Sequence, residues 1–220
     1  MIIEIWGFLK KNNKKYKNLL KELTKVEDKN IVYFAKYCMP FNNDYYKDIL
    51  DKGLLPITSY KDFFDDVYKK IKQLRIEIED NRHNDKASFY RDKELKEKRT
   101  EDECRDEIVR RLKDKYQKDI NIEREKHEAN NRVDINIKSR KNQNWEIQIE
   151  CKRDDNQEIY TAIENQLIKK YLSSKVKYGI YLIFYFGDKK NKEKFMLKVE
   201  ESIPNDYKDN IKIICIDLRK

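Results

Sequence analysis

The chain has 220 residues, with 50 lysines and arginines against 41 acids, a formal net charge of +9, and only 4 glycines and 2 histidines. This length accommodates one or two domains. Gly7, Gly53, Gly179 and Gly187 stand too far apart for a phosphate-cradling loop, two histidines are too few to build a histidine-based site easily, and Cys38, Cys104, Cys151 and Cys215 form none of the C-x-x-C pairs of a zinc site.

No stretch approaches the roughly 18 apolar residues of a membrane span. The opening Met1-Ile2-Ile3-Glu4-Ile5-Trp6 carries an early acid and no small-residue cleavage site, so a reduced, cytoplasmic protein is expected. The basic balance permits binding to a phosphate backbone. A lysine-rich surface kept soluble by mixed charge explains it more simply.

Residues 1 to about 98 read as helical and polar. Ile5, Phe8 and Leu9 begin a stripe that continues through Tyr16, Leu19, Leu20 and Leu23. A second apolar segment, residues 31–39, stops at Pro40, and a third around Tyr45, Tyr46, Ile49 and Leu50 ends near Gly53. Ser59, with Asp62 three residues on, is placed to cap a longer helix carrying Phe63, Phe64, Val67, Ile71, Leu74 and Ile78. Residues 80–98 are mostly polar and read as a solvated helix or a connector. This half is expected to serve recognition or oligomerisation, and residues 99–220 to form a second domain.

From residue 100 the period changes. Thr100-Glu101-Asp102-Glu103 has capping-box spacing and opens a helix with Cys104, Ile108 and Leu112 on one face. Ile120 and Ile122 suggest a short strand. Val133, Ile135 and Ile137 alternate with Asp134 and Asn136, and after a polar turn at 139–144, Trp145, Ile147 and Ile149 alternate with Glu146, Gln148 and Glu150. A helix over about 158–173 comes next, then a nearly all-apolar strand from Tyr178 to Phe186. Residues 195–199 read as a weaker strand and residues 211–216 as a last one. The expected class is α/β with a mixed sheet flanked by helices, behind a mostly helical N-terminal region.

Three charged residues stand out by position. Glu150 and Lys152, two apart, share one strand face, and a hairpin across the 139–144 turn brings Asp134 beside Glu150. Paired carboxylates repel unless a cation lies between them, and oxygen ligands favour magnesium, with manganese as a substitute. The Lys152 ammonium is then placed to orient a water or to stabilise charge developing on a phosphate. The competing reading is a hairpin whose polar face is simply wet.

The segments "NNRVDINI" (130–137) and "EIQIECKR" (146–153) resemble the metal-binding motif of the PD-(D/E)xK nuclease superfamily, which includes type II restriction endonucleases and Holliday-junction resolvases. "YTAIENQLIKKYL" (160–172) and "YGIYLIFYFG" (178–187) further resemble restriction-endonuclease-like domains of bacterial defence proteins. Val133 stands where the family name has proline.

The resemblance implies a restriction-endonuclease-like sheet, with Asp134 and Glu150 as metal ligands, the Cys151 carbonyl in the metal shell and Lys152 as the catalytic lysine. It also implies an added acid from the first helix of the domain, Glu103 or Glu107, of which Glu103 has a rival role as a capping residue. Gln166 would face the site from the following helix. The implied activity is magnesium-dependent phosphodiester hydrolysis, on DNA with RNA as the alternative, in antiviral defence or DNA processing, by a homodimer or with a defence-system partner. A nuclease fold that binds nucleic acid or protein without catalysis is the competing class.

Overall fold

A computed structural model describes residues 57, 59–80, 84–118, 120–128, 131–140, 144–173 and 175–219. The helices expected over residues 1–53 lie outside them. The chain divides into two units, 1–56 and 57–220, and the described residues all belong to the second. The division therefore falls about forty residues before the expected 98/99 boundary, because the helix opened by Ser59 shares a core with the sheet.

That helix, α1 (Tyr60–Asp80), buries Phe63, Phe64, Val67, Ile71, Leu74 and Ile78, the expected face in full. Its start is held reciprocally: Ser59 Oγ accepts the Asp62 N–H at 3.1 Å, and Asp62 Oδ2 accepts the Ser59 N–H at 2.9 Å. Residues 84–98 are neither a solvated helix nor a bare connector. A 3-10 turn, Asp85–Phe89, buries Phe89, and Tyr90 donates its hydroxyl to the Leu218 carbonyl at 2.7 Å.

Helix α2 (Glu101–Tyr116) begins with a complete capping box between Thr100 and Glu103. Five strands come after it: β1 (Ile120–Glu128), β2 (Asn131–Ser139), β3 (Glu146–Arg153), β4 (Tyr178–Tyr185) and β5 (Ile211–Asp217). They form one mixed sheet in sequential order, antiparallel from β1 to β3 and parallel from β3 to β5. Parallel neighbours need a crossover of a dozen or more residues. Between β3 and β4 it contains a π-helix, Ile163–Tyr171, and between β4 and β5 it contains α3 (Lys192–Glu201).

The α3 segment corrects the strand expected at 195–199. Phe195 and Val199, four apart, are its two buried residues, and the Asn191 side chain caps it by accepting the Lys194 N–H at 2.9 Å. The helix expected over 158–173 is also narrower: turns occupy 154–161, and the Leu172 N–H reaches back five residues to the Leu167 carbonyl at 3.0 Å.

Two apolar cores flank the sheet. Helices α1 and α2 pack with Ile135, Ile137, Ile147, Ile149, Ile180 and Leu182, while the π-helix and α3 pack with Tyr181, Ile183 and Tyr185. Strand β4 is consequently buried on both faces, as its continuous apolar run requires. Val133 departs from the expected alternation. It joins the π-helix core although Ile135 and Ile137 face the other way. The reason is local: the β2–β3 ladder stops at the Ile135–Ile149 pair, and β2 leaves β3 beyond it. None of the described helices is long and apolar enough to cross a membrane.

Candidate active site

The separation of β2 from β3 creates the site. Asp134 uses the gap: its Oδ2 accepts the Cys151 backbone N–H at 2.8 Å, and its Oδ1 meets Arg105 Nη1 of α2 at 3.3 Å. One step along β3, Glu150 and Lys152 share a face, with Lys152 Nζ donating to Glu150 Oε1 at 2.5 Å. Lys152 Nζ also reaches Glu101 Oε1 at 3.3 Å, while Glu101 Oε2 accepts the Arg153 backbone N–H and the Asn156 amide, each at 3.0 Å. Lysine thus bridges two carboxylates at the junction of β3 and the first turn of α2. The far oxygen of Glu150, Oε2, is buried without a hydrogen-bond partner among the described residues.

Burial sets the charge states. It pushes the Glu150 carboxyl up to about 8, with the neighbouring Asp134 charge adding to the rise and Lys152 opposing it. Burial raises Asp134 too, against the Cys151 N–H bond and the charges of Lys152 and Arg105. Burial alone would lower Lys152, but Glu150 and Glu101 outweigh it and raise its pKa. Lys152 is therefore a fixed cation. On the covering π-helix, Tyr171 lies against Glu150, and burial followed by the Glu150 charge raises its phenol pKa.

Of the residues singled out by sequence, Asp134, Glu150, Cys151 and Lys152 come together. The others do not join them. Glu103 is committed to the Thr100 cap and to Arg91, whose Nη2 lies 2.8 Å from Glu103 Oε2; these bonds, Arg91 first, pull its carboxyl down to about 2. Glu107 is buried, and its bonds from Arg110 and Arg111 at 2.7 and 2.6 Å outweigh the burial that would raise its pKa. Gln166 donates to Glu158 Oε2 at 2.7 Å.

The helix acid at the site is instead Glu101, two residues before Glu103 in the same first turn. The signal was present in the run Glu101-Asp102-Glu103, but choosing among its members needs the helix's angle to β3. Arg105, one turn further on, was likewise missed, because an arginine in a charged helix carries no mark of its burial.

A divalent cation fits the donor set. The Asp134 and Glu150 carboxylates, the latter with its Oε2 unpaired among the described residues, and the Cys151 main-chain carbonyl are hard oxygen ligands. Glu101, Asp134 and Glu150 do not form a tight three-acid cluster. Among the described residues that arrangement occurs only at Asp154, Asp155 and Asp188, on the loops after β3 and β4. There the acids have structural partners: Asp154 accepts the Phe186, Gly187 and Asp188 N–H groups at 3.1, 3.0 and 2.8 Å, Asp155 pairs with Arg153, and Asp188 pairs with Lys98. An open cleft of about 580 Å³, bordered by Thr100, Glu101, Arg153, Asn156 and Glu158, shares Glu101 with the lysine-bridged site.

Residues 63–188 match the family model of a domain of unknown function, DUF8371, which is more than half of the chain, and the protein belongs to that family. No curated protein and no solved structure matches it.

Proposed function

We propose that this protein is a metal-dependent nuclease of the PD-(D/E)xK kind, with a restriction-endonuclease-like sheet, cleaving phosphodiester bonds in DNA within the cytoplasm. The observation that carries the reading is the convergence of Asp134, Glu150 and Lys152 at the point where β2 leaves β3, with Glu101 joining from α2. Strand order, the parallel β3–β4 pair and the net charge of +9 are consistent with it.

Asp134, Glu150 and the Cys151 carbonyl would hold the cation, magnesium or manganese. When bound, it would supply an acidic centre for a water nucleophile and for a non-bridging phosphate oxygen. The chain's own contribution stems from its charge states. Lys152 keeps its proton, so its work is electrostatic: Nζ offers a fixed positive charge to the phosphate and is held in place by Glu150 and Glu101. Arg105 anchors Asp134 and places a second fixed charge behind it. Tyr171 and the π-helix close the apolar side and exclude bulk water.

The test is incubation of the full chain with supercoiled plasmid, single-stranded DNA and RNA, with magnesium, with manganese and with chelator. Cleavage that needs the metal and disappears in Lys152→Met is expected. Metal-independent cleavage, or full cleavage by Lys152→Met, would overturn the assignment. A binding module without catalysis is the second reading, favoured by the Arg105–Asp134 pair, which neutralises Asp134 with no ion. In that case the plasmid is retarded on a gel and remains intact.

A further inference from the structure

The face of β3 that carries Glu150 and Lys152 also carries Gln148, two residues earlier. Gln148 is 0% exposed, and neither its Nε2 nor its Oε1 has a hydrogen-bond partner among the described residues. Its partner in register on β2 is Asn136, also 0% exposed, whose Nδ2 is held by Glu123 and Glu146 at 3.1 and 3.2 Å but whose Oδ1 has no partner among those residues. On the other side the register sets Gly179 of β4 beside Gln148, and Leu167 of the π-helix packs directly over that glycine. With Glu150 Oε2, which has no partner of hydrogen-bond geometry among the described residues although the Tyr171 phenol lies against the same carboxylate, the unpaired atoms form a buried row leading from the middle of the sheet to the site.

Buried amides with nothing to bond are rare in folded proteins, and the usual partner is ordered water making two to four bonds. Residues two apart on one strand face are roughly 6–7 Å apart at their Cα atoms, a span that one water bridges between side chains. A purely structural role would favour an apolar residue here, since Gln148 lies beside a leucine-covered glycine and spends its hydrogen-bonding capacity on no described protein atom.

We propose that Gln148, together with the Asn136 carbonyl oxygen, holds ordered water against Glu150 Oε2 and thereby positions that oxygen for a divalent cation. Gln148 is a positioning residue, and the inference rests on the metal-site reading above. It extends the site inward along β3, beyond the residues that touch cation or phosphate.

Gln148→Met, of similar length and apolar, separates a positioning role from a packing role. Magnesium binding to the full chain is measured by calorimetry for wild type, Gln148→Met and Asp134→Asn, with a thermal melt of each without divalent cation. The expected result is a melting temperature for Gln148→Met equal to or above wild type, with magnesium affinity at least tenfold weaker. Unchanged affinity in Gln148→Met, with binding lost in Asp134→Asn, overturns the role of Gln148 and leaves the metal site standing. A melting temperature well below wild type marks Gln148 as structural and overturns it as well. Absence of magnesium binding in wild type sinks the metal-site reading, and the role of Gln148 falls with it.

Discussion

Asp134 takes the place of a strand: its Oδ2 accepts the Cys151 N–H at 2.8 Å, where continuation of the β2–β3 register would set Val133 opposite Cys151. The carboxylate therefore does two things, completing the hydrogen bonding of β3 and placing charge beside Glu150. Asp134→Asn keeps an oxygen for the Cys151 amide and removes only the charge. Magnesium binding by calorimetry should disappear in it with little change in the thermal melt. Asp134→Ala also strands the amide, and an unpaired buried N–H costs about 1–3 kcal/mol, so this variant should be the less stable of the two. Retained magnesium binding in Asp134→Asn would count against the proposed ligand.

Glu101 and Glu103 give a second contrast within a single helical turn. Glu101→Gln removes the charge that holds Lys152 and should reduce cleavage by about 10–100-fold, the usual effect of losing a group that orients a metal-site residue. Glu103→Ala breaks the capping box and the Arg91 pair, so it should lower the melting temperature while leaving the cleavage rate of folded protein unchanged. Plasmid nicking and a melting curve on both variants decide which acid serves the chemistry. The reverse pattern would return the role to Glu103.

The legibility of the sequence tracks the range of the interactions. Helix α1, the Thr100 cap and the Tyr178–Phe186 strand were readable because a repeat of hydrophobic residues or a three-residue spacing specifies each. Asp134, Glu150 and Lys152 were readable for a related reason, since two of them share a strand face and the third lies on the neighbouring strand of a hairpin. Glu101, Arg105 and Gln148 were not. Their place depends on how α2 and the π-helix lie across the sheet, and no short-range pattern encodes that. The strand expected at 195–199 failed because Phe195 and Val199 fit either period. What decides between them is the parallel pairing of β4 with β5, which requires a crossover.

An exposed lysine is replaceable without harm to the fold, but Lys152 is buried. It is 5% exposed and bridges Glu150 and Glu101. Removing one partner of a buried ion pair costs about 3–5 kcal/mol, and less below about pH 8, where Glu150 already carries a proton. Lys152→Met should therefore abolish cleavage and also lower stability in urea. A loss of stability without loss of cleavage would show that the lysine is purely structural.

Glu150 makes the stability of the metal-free protein fall with pH. Its folded pKa of about 8 lies above the ordinary 4.5, so between those values the folded state holds more protons than the unfolded state. Unfolding free energy then declines as pH rises across this window and levels off above about 8. Asp134 is shifted in the same direction and adds to the slope at its acid end. Urea denaturation from pH 5 to 8.5 should show the decline, and Glu150→Gln should flatten it. Magnesium should stabilise more at pH 8 than at pH 6, because the ion displaces the proton. A slope unchanged in Glu150→Gln would assign it to other groups.

The acids on the loops after β3 and β4 offer the sharpest control on where a cation binds. Asp154, Asp155 and Asp188 have ligand atoms within 4.8 Å of one another, closer than the acids around Lys152. Yet Asp154 is occupied by three backbone N–H groups that fix the turn following β4, and replacing it with alanine should destabilise strongly. Asp155 and Asp188 are exposed and paired with Arg153 and Lys98, so the double variant Asp155→Asn, Asp188→Asn should fold. It should bind magnesium as wild type does, whereas Asp134→Asn should not. Loss of binding in the double variant alone would move the cation to the loop cluster and leave Asp134, Glu150 and Lys152 as a buried ion-pair network.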